Sequence, residues 1–331
     1  MDFPRLQLAT LAFLTVIIQA LVLDLTQVIS WVLMSITLCC LAWQISWILP
    51  YTSLWKKKVR HCENDNLDSE ISILTSNVLA TNRNASALIK LVQKHQPDIL
   101  VTLESTKWWE EQLQVIEADM PNSIKCPLDN LYGMHVYSRL PLENEQIEFL
   151  IEDNIPSMHT TIVLRTGDKV RTHFLHPAPP SPTENTESTE RDVELILVAK
   201  SLADTTQPVI VTGDLNDVAW SKTTHLFREI SGLLDPRIGR GMFNTFHADY
   251  PFFRWPLDHI FHSHHFELRD IQRLPSIGSD HFPLLTKLSF NPQKNNNQTI
   301  SNAKPSGIEK ANNIADKKPA DKSDVPNPIK D

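Results

Sequence analysis

The first fifty positions carry almost no polar interruption. Leu6–Leu23 is an 18-residue stretch without a charge, and after Asp24 a second uncharged stretch of 22 residues covers Val28–Leu49. Each is long enough, as a helix, to cross about 30 Å of hydrocarbon. Aliphatic side chains surround both stretches instead of lining one face, which separates them from amphipathic core helices. A short Asp-Leu-Thr-Gln turn between them predicts a transmembrane helical hairpin, with helices over about 6–23 and 28–49 of a segment ending near residue 55. A cleaved signal peptide fits poorly, because the apolar region is too long and no small-residue cleavage site follows it.

From Ile71 to Phe290 the pattern changes to short apolar runs alternating with helical periodicity. ISILTSNVL, DILVTLE, YGMHVYSR, TTIVLR, VRTHFLH, PVIVTGDLN, LDHIFHS and FPLLTKLSF read as strands. ASALIKLVQKH, Trp108–Ala118 and RDVELILVAKSLADT read as helices. Hairpin-like strand pairs mixed with helical crossovers predict packed sheets with outer helices. A juxtamembrane linker is expected over 56–70, polar from His61 onward. A disordered tail is expected over 291–331, which holds almost no large apolar residues.

Charge follows the same division. The 331 residues carry a formal net charge of −8, but the 61–290 region alone holds 19 basic and 32 acidic side chains, a net of −13. Nucleic-acid binding rests on Lys and Arg neutralising phosphates, so this balance disfavours a nucleic-acid partner and suits a domain that gathers a divalent cation. The run Lys56–Lys58 with Arg60 after the second span, and Arg5 before the first, reads as an orientation signal. By the positive-inside rule it places the large domain in the cytoplasm, on the inner face of a membrane. Trp43, Trp47, Tyr51 and Trp55 are spaced as interfacial aromatics. The four cysteines have no metal or disulfide spacing: Cys39 and Cys40 are adjacent in the apolar run, while Cys62 and Cys126 stand alone.

Polar residues end the apolar strands of the central region. Asn77 ends SILTSN, Glu104 ends DILVTLE, His176 ends VRTHFLH, and Asp214 and Asn216 end PVIVTGDLN. Asp258 lies in PLDHIF, and Asp280 with His281 precedes FPLLTKL. A carboxylate just beyond a buried strand stands on rigid backbone within reach of substrate. Any one of them is explained as a turn residue or helix cap; six such places in one domain are harder to explain so. Asn77, Glu104 and Asp280 offer hard oxygen ligands suited to Mg2+, with Mn2+ as an alternative. His281 polarised by Asp258 offers acid–base or phosphate-binding chemistry. Asp214 is placed to orient or deprotonate a water, and Asn216 and His176 to hydrogen-bond phosphoryl oxygens.

P-D-I-L-V-x-x-E, Y-S-R-L-P-L, H-P-x-P-P, V-I-V-T-G-D-L-N, L-D-H-I-F and S-D-H-F-P-L occur in this order over about 190 residues. The ordered set resembles the endonuclease/exonuclease/phosphatase superfamily of deoxyribonuclease-I-like fold, and the apolar hairpin ahead of it is similar to bacterial membrane-anchored members. The resemblance implies a four-layer α/β-sandwich over 71–290 and a Mg2+-dependent phosphoesterase or nuclease. It makes Glu104 the principal metal ligand with Asn77 beside it, and Asp280 a second acidic site near the metal. It makes Asp214 and Asn216 the pair orienting water and phosphate, Asp258 and His281 a hydrogen-bonded dyad, and His176 the other phosphate-side histidine. His173, three residues earlier, competes for that last role; the Pro-rich loop after His176 favours the latter. The substrate class is a phosphate ester, with a lipid head group or membrane-proximal metabolite favoured by anchoring. A nuclease or a non-catalytic scaffold of the same fold is the alternative.

Several features have plainer explanations. The run DHIFHSHHF has no ligand spacing for zinc, and strand alternation sends His262 and His264 to one solvated face. Arg139 and Arg191 are expected in surface ion pairs. Arg254 and Trp255 are expected near the substrate mouth or in the core.

Overall fold

A computed structural model describes residues 2–63, 66–179, 188–292 and 303–329. Two apolar helices, α1 (Arg5–Val22) and α2 (Val28–Ile48), pair as a hairpin, tied across by Gln19 Nε2 donating to Thr37 Oγ1 at 3.1 Å. Their outer faces stay bare, with Leu21 and Val28 each about four-fifths exposed. Both helices are long and apolar enough to cross a membrane.

Eleven strands follow among the described residues. The first sheet contains β1 (Glu70–Asn77), β2 (Ile99–Leu103), β3 (Asn122–Cys126), β4 (Met134–Ser138), β10 (Phe266–Arg273) and β11 (Leu284–Phe290), in the order β10-β11-β1-β2-β4-β3. The second contains β5 (Leu142–Glu148), β6 (Ser157–Val163), β7 (Lys169–Leu175), β8 (Val209–Asp214) and β9 (Asp258–His262), paired in that order. Both sheets are mixed: β1–β2 and β7–β8 are parallel and the other pairs antiparallel.

Alternation along each strand builds the layers. Ile71 and Ile73 of β1, Ile99 and Val101 of β2, Phe174 of β7, Ile210 of β8 and Ile260 of β9 meet between the sheets as one core. Leu74 and Leu100 face the other way, onto α3 (Ala85–His95) and α4 (Lys107–Leu113). Val209 and Val211 turn outward onto α5 (Thr189–Leu202) and α6 (Lys222–Ser231). The result is the expected α/β sandwich of two mixed sheets flanked by helices.

Two expectations are corrected. Of the tail beyond 291, residues 293–302 and 330–331 lie outside the described ones; in the remainder α7 (Pro305–Ala315) packs on α5 and α6, burying Ala311 and Ala315, and Val325 beyond it is buried in the same cluster. Alanines filling a tight helix–helix contact leave little hydrophobic signature in the sequence. The segment after α2 is not a free linker either. Val59 and Cys62 are buried, and Cys62 N–H and the Arg60 carbonyl hydrogen-bond Leu268 of β10 at 2.8 and 2.9 Å. Cys39, Cys40, Cys62 and Cys126 are each free thiols.

Candidate active site

Strand parity carries several of the polar residues to one place. In β1 the residues facing the second sheet are Ile71, Ile73, Thr75 and finally Asn77; in β8 they are Ile210, Thr212 and Asp214. Thr75 and Thr212 touch across the sheets, Oγ1 to Oγ1, at 3.0 Å. One step beyond that contact, Asn77 Nδ2 donates to Asp214 Oδ2 at 3.3 Å and to Glu104 Oε1 at 2.8 Å. Asp214 faces Asp258 in the β8–β9 register. His281, entering β11, completes the group: its Nδ1 lies 2.8 Å from Asp258 Oδ2 and its Nε2 3.5 Å from Asp214 Oδ2. Ligand atoms of Asp214, Asp258 and His281 all lie within 4.8 Å of one another.

The loops after the strands are set by backbone bonds. Glu104 and Asn216 both adopt left-handed backbone, with φ of 57° and 51°, a conformation that costs free energy for residues other than glycine. Glu104 Oε2 accepts from Ala80 N–H at 3.4 Å, and Asp214 Oδ1 accepts from Asn216 N–H at 2.9 Å. Asn216 Nδ2 donates to the Pro177 carbonyl at 2.9 Å, so this residue fastens the β8 loop to the one that follows His176. Gly213 permits that approach of β7 and β8: a Cβ there would lie 1.9 Å from the Leu175 carbonyl oxygen.

Burial sets the charges. It pushes the Glu104 carboxyl up to about 7, assisted by the negative Asp280 and opposed by the Asn77 hydrogen bond. Burial also opposes ionisation of Asp214, but His281, His176 and hydrogen bonds from Asn216 and Asn77 outweigh it and hold this carboxyl below its ordinary value. Burial alone would deprotonate His281; Asp258 and Asp214 instead push it up to about 10. Burial and neighbouring Asp214 raise the Asp258 carboxyl against the pull of His281. One proton is therefore held tightly between Asp258 and His281. His176 is the opposite case: burial pulls it down to about 4 despite Asp214, and its Nδ1 is buried without a partner among the described residues. The site thus pairs a cationic histidine with a neutral one.

Of the eight candidates, Asn77, Glu104, Asp214, Asp258 and His281 are linked by contacts. His176 and Asp280 act on them electrostatically, and Asn216 joins them through the backbone. His173 lies on the opposite face of β7, bonded to His159 and Arg171 at 2.6 and 2.8 Å, away from the cluster. Other residues depart from expectation. His262 is buried, not solvated, with its Nδ1 at 2.9 Å from the Ser263 carbonyl, because β9 is covered on both faces. Arg191 is also buried and donates to the Asn216 carbonyl at 2.7 Å, so it supports the site loop. Arg139 does form the expected ion pair, with Asp119 at 3.9 Å, and donates to the Pro97 carbonyl, remote from the cluster. Trp255 takes the second of its two expected places, packed on the core cluster of Val218, Ala219 and Trp220, and its Nε1 donates to the Phe3 carbonyl.

Sequence reasoning missed three supports. Ser279 Oγ donates to the Asn77 carbonyl at 2.8 Å and accepts from His281 N–H at 3.0 Å. Phe246 packs against the His281 ring, with centroids 4.9 Å apart. Arg237, fully buried with Asp235, donates to the Asp258 carbonyl at 3.2 Å. The serine of S-D-H was visible in the sequence; the Asp-Pro-Arg of the buried pair carried no signal distinguishable from a turn. Residues 180–187 of the Pro-rich loop lie outside the described residues.

The sequence profile of the endonuclease/exonuclease/phosphatase family matches residues 74–281, more than half the chain and the whole span of this cluster. The chain belongs to that family. No curated protein matches it in sequence. Among solved structures, D. rerio TDP2 complexed with single strand DNA product superposes with a TM-score of 0.55 at 15% identity, over 67% of this chain and 99% of that one. The human Nocturnin catalytic domain with bound sulfate gives 0.56 at 19% identity, over 68% and 96%. A functionally unknown conserved protein from Enterococcus faecalis gives 0.53 at 15%, over 67% and 100%. At these identities the likeness is one of fold.

Proposed function

We propose that the chain is a membrane-anchored, divalent-metal-dependent phosphoesterase that hydrolyses a phosphomonoester or phosphodiester by in-line attack of water. The observation that carries this reading is the tight cluster of Asn77, Glu104, Asp214, Asp258 and His281 at the strand ends of both sheets. Its donor chemistry fits a hard cation. Glu104, Asp214, Asp258 and Asp280 outnumber the one cationic imidazole, and Asp258 Oδ1 is buried without a partner among the described residues. Protonated His281 has no free lone pair to offer, so the ligands would be Glu104 with Asn77 and Asp280, Mg2+ or Mn2+ being the suited ions. Such an ion, when bound, neutralises the phosphate and polarises its P–O bonds.

The protein groups supply the rest. Ionised Asp214 orients a water and accepts its proton, held in place by the Asn77 and Asn216 donors. Cationic His281, fixed by Asp258, and neutral His176 stabilise charge growing on the phosphoryl oxygens. Asn216 holds the β8 loop so that Asp214 cannot swing. Anchoring by α1 and α2 is supported by their length and bare apolar faces, and the basic flanks favour a cytoplasmic domain at a bacterial inner membrane. The favoured substrate is a lipid head group or membrane-proximal metabolite. A nuclease role is disfavoured by the net −13 of residues 61–290.

The test compares the full chain with Glu104→Ala and His281→Ala on bis-p-nitrophenyl phosphate, phospholipids and single-stranded DNA, each with Mg2+ or EDTA. The expected result is Mg2+-dependent turnover of the first two, lost in both variants. Metal-independent turnover, or full activity in both variants, refutes the mechanism; preference for DNA establishes the nuclease reading.

A further inference from the structure

A cavity of about 730 Å3 opens where the hairpin meets the catalytic domain, and none of the residues of the carboxylate cluster line it. Its wall carries Lys56, Lys57, Lys58, Arg60 and Arg228 and, among the described residues, no carboxylate. Indoles of Trp47, Trp55 and Trp220 and the last turn of α2 complete it. Neither the hydrolytic site nor the fold explains this concentration of cations. An orientation signal needs positive charge near a span, but not a cavity.

The lysines are displayed from a fixed backbone. Gly239 N–H donates to the Pro50 carbonyl at 2.8 Å, Lys58 N–H to the Ile238 carbonyl at 3.4 Å, and Arg240 to the Val59 carbonyl at 2.6 Å. Gly239, at φ 77°, lies so close that a Cβ would come within 2.5 Å of Lys57 N. Arg228 is buried and donates to the Tyr51 hydroxyl at 3.1 Å, while its Nε finds no acceptor among the described residues. Burial and the Arg228 charge pull the Lys58 ammonium down to about 8. The acids nearby are engaged: Asp235 is paired with Arg237 at 2.9 Å, and Glu229 lies 3.6 Å from His225. The pocket is therefore short of negative charge.

We propose that this cavity binds the phosphate of an anionic phospholipid head group, held by Lys56, Lys57, Lys58, Arg60 and Arg228. The lipid's glycerol would rest on the indoles and its acyl chains along the bare face of α2. A lipid is favoured over a soluble anion because one wall is the end of an apolar helix, at the level where tryptophans meet the bilayer surface. The proposal rests on the membrane-anchored reading of α1 and α2 and is independent of the hydrolytic one.

The test uses the full chain in uncharged detergent, titrated with phosphatidylglycerol or phosphatidylcholine in mixed micelles and followed by tryptophan emission. Phosphatidylglycerol should give a saturable change that phosphatidylcholine does not. Lys56→Gln/Lys57→Gln/Lys58→Gln should weaken it by roughly a hundredfold, at about fivefold per cation, with an unchanged unfolding midpoint in the absence of lipid. Arg228→Gln should weaken it as well, and His281→Ala should bind as the unaltered chain does. Equal response to both lipids, or unchanged binding by the triple variant, overturns the proposal. So does competition by inorganic phosphate or single-stranded DNA at the concentrations at which the lipid acts. Carbonate extraction of the chain from membranes separately refutes the anchoring on which it rests.

Discussion

Replacing Asp258 by Asn isolates the electrostatic part of the site with almost no change of shape. The amide keeps an oxygen that can accept from His281 Nδ1, now at 2.8 Å from the carboxylate, but the negative charge is lost. That charge pulls hardest against burial on His281 and holds it at about 10; Asp214, 3.5 Å from Nε2, is the weaker partner. Without Asp258 the imidazole should fall toward its ordinary range of about 6.5. His281 would then be cationic at pH 6 and largely neutral at pH 8.5, whereas in the unaltered chain it is cationic at both. A preorganised positive donor at a developing phosphoryl charge is worth about 3–4 kcal/mol, or roughly 10²–10³ in rate. The assay is kcat/KM between pH 6 and 9.5 on bis-p-nitrophenyl phosphate with saturating Mg2+. Asp258→Asn should lose most of its activity above pH 7.5 and recover part of it at pH 6. His281→Gln should be low at every pH, and the double variant no worse than His281→Gln, since Asp258 acts through the imidazole. A variant within threefold of the unaltered chain at pH 8.5, or losses that multiply in the double variant, would refute the reasoning.

Glu104→Gln should raise the Mg2+ concentration needed for half-maximal activity by roughly 10–100-fold, read from a metal titration after EDTA treatment, while leaving the unfolding midpoint nearly unchanged. His135, buried with both ring nitrogens unpartnered, is pulled down to about 4 by burial. Its neutral form therefore contributes stability in full above about pH 6.5, and the contribution is lost as pH falls toward 4. The loss is about 3 kcal/mol at roughly 1.4 kcal/mol per unit; urea midpoints of His135→Met should show a shallower acid limb. Gly213→Ala should destabilise by at least about 2–3 kcal/mol, because its Cβ would collide with the Leu175 backbone; an unchanged midpoint in thermal unfolding would contradict the close β7–β8 approach. Truncation after Pro292 should lower the thermal midpoint by uncovering the α5–α6 surface on which Ala311, Ala315 and Val325 are buried.

The period of two explains both what could be read in the sequence and what could not. Apolar runs closed by a polar residue marked β1, β2, β7 and β8, runs opened by one marked β9 and β11, and the same count placed the chemistry. His176 stands two residues beyond Phe174, which faces the inter-sheet core, while His173 has the parity of Leu175 and faces the helices. That signal was in the strand itself and is stronger than the neighbouring prolines used to choose between them. The strands that escaped are edges. β3 and β5 close their sheets with polar, partly exposed residues, NSIKC and LENEQIE, as edge strands do to avoid pairing with other chains. β10 is also an edge, and its pattern of Phe266, Leu268 and Ile271 skips phase where a register shift falls between Leu268 and Asp270. A bulge of this kind moves the apolar residues off strict alternation while keeping them on one face. The supports behind the site escaped for a different reason. Arg237 and Asp235 satisfy each other in full burial, and Arg191 is turned inward onto the Asn216 carbonyl. Charged residues in sequence read as surface, and only the partner supplied by the fold makes their burial affordable. Local pattern therefore locates residues that end strands, whereas residues that steady them from behind become visible only once the sheets are assembled.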